Sequence, residues 1–229
     1  MARDAPETRA IAPDDWDRRG LPAWTYHSPA LFELERQELF RNHWQIAGHV
    51  SDIPSAGDFV TVDIGDDRAL IVRGEEGTIR AFHNLCRHRG SRVTAEKSGT
   101  CARTFVCPFH GWVYNTDGTL RGPARPESFG ALDRSRFGLK PLDLELWMGF
   151  IFIRFLPGPQ GSVAAAMARY QDDVAAYRLG EMVPAGGASQ FTTPVNWKSV
   201  RDVDNEGYPV ALAHPARQAL SGASYQDEP

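Results

Sequence analysis

Two short clusters constrain this chain more than any other feature: Cys86-Arg-His88 and Cys107-Pro-Phe-His110, separated by eighteen residues (89–106) and each closely followed by a glycine, Gly90 or Gly111. Each cluster supplies one thiol and one imidazole, and together they make a complete four-ligand set. Soft thiolates suit Zn²⁺ or an iron–sulfur cluster, and imidazole suits both. Structural zinc sites usually pair like with like, Cys with Cys in one knuckle and His with His in the other. Here each knuckle is mixed, which fits a two-iron cluster whose irons are served by both loops. With two His in place of two Cys, one iron has neutral ligands. The potential of such a centre lies between about −150 and +300 mV, against about −400 mV for an all-Cys plant-type centre. Cys86, His88, Cys107 and His110 are therefore the candidate ligands of a Rieske-type [2Fe–2S] centre that passes single electrons, with a structural zinc site as the alternative.

The remaining composition narrows the setting. Three cysteines leave at least one unpaired and form no disulfide framework, so the reading is a cytoplasmic protein in a reducing compartment. Cys101 lies between the two motifs and belongs to neither; a small buried or half-buried residue, not a ligand, is expected there. A formal charge of −4 indicates no nucleic-acid footprint. The apolar stretch 147–155 is too short to span a bilayer, so no membrane partner is expected. Arg87, Arg89 and Arg92 crowd the first motif, either as solvated charge or as a dock for an acidic redox partner.

The local pattern is mainly β. Ser28 and Pro29 form a helix start, with Phe32, Leu39 and Phe40 near helical spacing up to Trp44. Short strands are then predicted at 59–64, 69–72, 78–82, 104–106, 112–114 and 148–155, divided by turn residues such as Gly65-Asp66-Asp67. This many close, short strands imply an antiparallel sandwich or small barrel. Pro157-Gly-Pro-Gln-Gly161 marks a boundary. Beyond it Val163, Met167, Tyr170, Val174 and Tyr177 predict an amphipathic helix with a docking face, stopped by Gly180. The domain organisation read from this is 1–45 (arm and helix), 46–157 (cluster domain) and 158–229 (a further, incomplete α+β domain).

Asn84-Leu-Cys-Arg-His-Arg-Gly90 and Val106-Cys-Pro-Phe-His-Gly-Trp112 resemble the two cluster loops of Rieske-type non-haem iron, ring-hydroxylating oxygenases. The similarity runs from about Tyr26 to the C-terminus and includes Gly111-Trp-Val-Tyr-Asn-Thr-Asp-Gly118. The spacer is slightly longer than the commonest one, which predicts a loop insertion around Ser98-Gly99. The resemblance implies a Rieske β-sandwich followed by the opening of an oxygenase catalytic domain. It also implies that the two Cys hold the inner iron and the two His the outer, so that His88 and His110 lie nearest the surface.

Asn196-Trp-Lys198, Glu206-Gly-Tyr208 and Ala213-His-Pro215 resemble the mononuclear-iron segment of the same family. There a facial triad of two His and a carboxylate leaves Fe(II) open to O₂. The resemblance assigns Glu206 to the residue bridging electrons from a neighbouring subunit, and His214 to the second iron ligand. At the first ligand position stands Pro209, which binds no metal and would clash with the carbonyl of Asn205 in a helix. The resemblance thus implies an oxidoreductase, a monooxygenase or dioxygenase α subunit, with a defective mononuclear site. Its partners would be a flavin reductase or ferredoxin, O₂ and a small organic substrate, in a homotrimer. The alternative is an electron-transfer or regulatory Rieske protein without oxygenase activity.

Overall fold

The computed structural model describes residues 21–186 and 191–205. The chain divides into two units: Glu33–Ser189 is one, and Met1–Phe32 with Gln190–Pro229 is the other. Helix α1 (Pro29–Glu35) begins as expected, with the Ser28 hydroxyl accepting from Leu31 N at 3.2 Å. It does not run on to Trp44: Arg36–Phe40 widens into a π-helical turn.

The strands that follow are β1 (Gln45–His49), β2 (Asp58–Ile64), β3 (Asp67–Arg73), β4 (Ile79–His83) and β5 (Ser98–Thr100). After them come β6 (Thr104–Val106), β7 (Val113–Asn115), β8 (Leu120–Gly122), β9 (Asp143–Trp147) and β10 (Phe150–Arg154). They form three antiparallel sheets, ordered β1-β10-β9, β4-β3-β2-β5 and β6-β7-β8. The fold is mainly β, as the strand spacing implied.

The run Ala69-Leu-Ile-Val72 explains the layering. A strand alternates its side chains, yet all four residues are buried. Leu70 and Val72 enter one core with Phe105, Trp112 and Tyr114, while Ala69 and Ile71 enter another with Ile151 and Ile153. The four-stranded sheet therefore has a hydrophobic core on each face, which is why β3 shows no polar alternation.

Three local expectations are corrected. Ser98–Thr100 is not a loop: it pairs as an edge strand, Phe59 opposite Gly99. A side chain at Gly99 would start 3.2 Å from the Phe59 ring, so the glycine permits the pairing. The amphipathic stripe after the boundary is broken into α2 (Val163–Met167), a 3₁₀ turn at Ala168–Tyr170, and α3 (Gln171–Ala175). Only Val163 of that stripe is buried, and Tyr170 and Tyr177 are exposed, so no packed face holds one straight helix. Finally, Arg178 in the left-handed region (φ 51°), rather than Gly180, breaks the helical path.

In the second unit, α4 (Trp197–Asn205) is joined to the segment before α1 by Tyr26, whose hydroxyl donates to Asp202 Oδ2 at 2.6 Å. Lys198 is buried there, its ammonium 5.4 Å from the Trp197 ring and 5.9 Å from the Tyr26 ring. Glu206, Pro209 and His214 lie outside the described residues.

Candidate Rieske centre

The two motifs fold into matching loops. In the first, Cys86 N donates to Ser91 O at 2.8 Å and Gly90 N to Cys86 O at 2.9 Å. In the second, Cys107 N donates to Trp112 O at 2.8 Å and Gly111 N to Cys107 O at 2.9 Å. The same two backbone bonds at the same offsets close both loops, and each needs a residue with positive φ at its fifth position, Gly90 at +70° and Gly111 at +65°. This is why each motif is followed by glycine. The first loop is also tied at its base: fully buried Asn84 accepts from Val93 N and Thr94 N and donates to Thr94 O.

The loops bring the four candidate ligands together with the sulfurs inside. Cys86 and Cys107 are 4% and 2% exposed, whereas His88 is half-buried and His110 exposed. The imidazoles meet edge to face with centroids 4.6 Å apart. His88 stacks on Trp112 at 5.1 Å, 5° from parallel, and Phe129 closes the same group from the edge.

Around the sulfurs the chain provides donors. Tyr114 Oη lies 3.2 Å from Cys86 Sγ and accepts from Arg87 N at 2.9 Å, which directs its own proton to the sulfur. Ser91 Oγ lies 3.3 Å from Cys107 Sγ. Burial pushes the Cys86 thiol up, against the Tyr114 hydrogen bond. Burial acts the same way on Cys107, but the Ser91 hydroxyl and the N–H groups of Phe109 and His110 together hold it below the usual thiol value. Burial first, then Cys86, drives the Tyr114 phenol upward, so it stays a donor. Burial and the neighbouring His110 lower His88, which favours the neutral imidazole a metal requires.

These residues fit a two-iron cluster. His88 Nδ1 is sealed from solvent and has no hydrogen-bond partner, as does Trp112 Nε1. A buried imidazole nitrogen without a partner is costly unless something coordinates it. No group of three or more His, Cys, Asp or Glu among the described residues converges as a single-metal site. Each iron of a Rieske centre needs only two protein ligands.

Residues 43–133 match the Rieske [2Fe–2S] domain, which identifies the class of the cluster-bearing unit. Over 85–90% of its length the chain is similar in sequence to oxygenase subunits of Rieske monooxygenases. It is 38% identical over 197 residues to the glycine betaine monooxygenase oxygenase subunit of Chromohalobacter salexigens, covering 85% of this chain and 43% of that one. It is 30% identical over 222 residues to the carnitine monooxygenase oxygenase subunit of Escherichia coli K12, covering 90% and 56%. Among solved structures, a quaternary ammonium Rieske monooxygenase in complex with L-carnitine superposes with a TM-score of 0.76 at 27% identity, covering 89% of this chain and 56% of the other. Naphthalene 1,2-dioxygenase from Rhodococcus sp. gives 0.72 at 32% identity, covering 88% and 47%. The chain thus spans about half the length of the curated relatives it matches.

The other residues singled out from sequence fall into place unevenly. Arg92 pairs with Asp63 at 2.8 Å and is not free for a partner, while Arg89 is exposed. Cys101 is half-buried against the first core. Asn84, Ser91, Trp112 and Tyr114 carried no assigned role before their contacts were seen, although all but Ser91 stand in the quoted motifs. No helix among the described residues is long and apolar enough to cross a membrane.

Proposed function

We propose that this chain is a Rieske oxygenase subunit-like oxidoreductase in which Cys86 and Cys107 hold one iron of a [2Fe–2S] cluster and His88 and His110 the other. The observation that carries this is the pair of matching loops, which buries both thiols under hydroxyl donors and leaves His110 at the surface. When bound, the cluster supplies reversible one-electron transfer. The chain's own residues exclude water from the sulfurs, hold His88 against Trp112 and present His110 where a flavin reductase or ferredoxin can approach. In this reading 46–157 is the cluster domain and 158–229 the opening of a catalytic domain. The names of the relatives point to a quaternary ammonium compound as the small organic substrate, hydroxylated or demethylated with O₂ in a homotrimer.

The mononuclear-iron segment departs from the family pattern at one ligand position. Glu206 and His214 match the family's bridging acid and second ligand, but Pro209 replaces the first. This supports a chain that does not complete a mononuclear Fe(II) site by itself. It also favours the second reading, an electron-transfer or regulatory protein without oxygenase activity.

Absorption and EPR spectra of the anaerobically purified chain test the cluster, together with counts of iron and sulfide. Two irons, two sulfides and a reduced signal of low average g are expected; colourless protein with zinc would overturn the assignment. A third iron that disappears in His214→Ala would overturn the defective site. Oxygen uptake that requires both reductase and substrate would exclude the second reading.

A further inference from the structure

Cys86 and Cys107 come from different loops, yet one residue touches both. The Ser91 carbonyl accepts from Cys86 N at 2.8 Å, and its hydroxyl lies 3.3 Å from Cys107 Sγ. The two sulfurs are also within hydrogen-bonding reach of each other. Both cysteines are almost wholly buried, in one core with Phe59, Phe105 and Tyr114. Backbone bonds close each loop, and the Asn84 side chain ties the base of the first. None of those bonds uses a sulfur or an imidazole nitrogen, so the protein itself keeps the two thiols together.

Two thiols in contact have a chemistry of their own before a cluster is loaded. Hydrogen peroxide is small enough to reach a nearly sealed sulfur, and it oxidises one thiol to a sulfenic acid with release of water. A sulfenic acid without a neighbour goes on, with more peroxide, to the sulfinic acid, which thiols do not reverse. A sulfenic acid beside a second thiol condenses with it instead, forming an S–S bond and a second water. In sum, two thiols and one hydrogen peroxide give one disulfide and two waters. Two electrons pass from the sulfurs to the O–O bond, and both thiol protons end in water. Cys101 is the contrasting case: it is half-buried at the margin of the same core, its N–H donates to Gly57 O at 2.9 Å, and neither cluster cysteine is among its hydrogen-bond partners.

From this we infer that Cys86 and Cys107 form a reversible redox lock on the empty cluster site. Each thiol resolves the sulfenic acid of the other, so peroxide closes the site as a Cys86–Cys107 disulfide. The lock rests on the proposed role of the two cysteines as iron ligands. A metal is bound by the thiolate, which a disulfide no longer offers, so closure blocks loading. It also keeps both ligands off the irreversible branch of sulfur oxidation. A dithiol reopens the site by attack on one sulfur through a mixed disulfide, leaving two protein thiols and its own disulfide.

The test uses the full-length chain, stripped of iron with a chelator, fully reduced, freed of reductant and treated with an equimolar amount of hydrogen peroxide. Free thiols are counted, the intact mass is measured and the peptides are mapped. The expected result is loss of two of the three thiols, a mass lower by two hydrogens, and one cross-link joining the peptides of Cys86 and Cys107. Cys101→Ala should give the same cross-link. Cys86→Ser leaves Cys107 alone, and in excess peroxide should carry it on to the sulfinic acid, whereas wild type stops at the disulfide. Supplied with iron and sulfide, the oxidised chain should form no visible cluster, and dithiothreitol should restore loading to that of the untreated reduced chain. Cross-links to Cys101, or an oxidised chain that loads without dithiol, would overturn the lock. A disulfide that fails to form in a chain that loads normally when reduced would overturn the lock alone and leave the ligand assignment standing. A reduced chain that takes up no cluster would overturn both.

Discussion

Asn84 is the polar group on which the first loop most depends, and its replacement by alanine has a magnitude that can be worked out. The side chain is fully buried, accepts from Val93 N at 3.0 Å and Thr94 N at 3.2 Å, and donates to Thr94 O at 2.8 Å. Alanine leaves all three backbone groups without this partner. Val93 is 1% exposed, so its N–H stays dry and costs about 1–3 kcal/mol. Thr94 is half-buried, so water recovers part of its two lost bonds, leaving about 0.5–1 kcal/mol for each. The sum is about 3 kcal/mol, a large share of the roughly 5–15 kcal/mol available to a domain. With a urea slope of about 2 kcal/mol/M, the unfolding midpoint should fall by about 1.5 M. The assay is anaerobic urea unfolding followed by tryptophan fluorescence and, in parallel, by the visible colour of the cluster. Asn84→Asp keeps the acceptor for Val93 N and Thr94 N but sets a buried carboxylate against Thr94 O, so it should also lower the midpoint. A midpoint within about 0.3 M of wild type, with colour retained, would refute the claim that Asn84 holds the loop closed.

The two loop glycines should respond unequally to alanine. Both have positive φ, but at Gly90 a new methyl meets nothing within 4 Å, whereas at Gly111 it starts 2.8 Å from Ala124 Cβ. Gly90→Ala should cost the backbone term of about 1–2 kcal/mol and keep its iron, while Gly111→Ala should show a lower iron-to-protein ratio. Arg154 donates to Asp143 and to Gln160 O and lies 4.6 Å over the Trp44 ring, and the Trp44 indole donates to Gly161 O at 2.8 Å. Arg154→Ala should speed proteolysis within 157–161 about tenfold, corresponding to about 1.4 kcal/mol of local opening; an unchanged cleavage rate would contradict this. His83 is half-buried, and burial first, then Lys140 and Arg41, outweigh Asp67 in lowering its pKa. The unfolded chain therefore takes up a proton before the folded one does. The neutral form's contribution is fully present above the ordinary histidine value and is lost as pH falls from there toward the folded pKa. His83→Gln should flatten stability against pH on the acid side of about 6.5, measured by urea unfolding at stepped pH.

Much of the site was legible before any coordinates, because ligand sets in cluster loops are contiguous. Cys86-Arg-His88 and Cys107-Pro-Phe-His110 carry donor type, spacing and a nearby glycine within a few residues each. The strands at 59–64, 69–72 and 104–106 were legible for a similar reason, since alternation and turn residues act locally. β1, β5, β8 and β9 were not. Gly99 of β5, for example, has no side chain to signal a strand, and its place is set by pairing opposite Phe59. The amphipathic stripe at 163–177 misled because periodicity records what a helix could bury, while only Val163 found a surface to bury against.

The sequence by itself determined which atoms could bind a cluster, since coordination chemistry depends on residue type and on spacing within a loop. Only the tertiary structure decided how those atoms are tuned. Tyr114 reaches Cys86, Ser91 reaches Cys107, Trp112 stacks on His88, and Arg154 covers Trp44 from more than a hundred positions away. Hydrogen bonds and ring contacts act over 3–6 Å of space, and chain separation says nothing about which groups the packed sheets will bring that close.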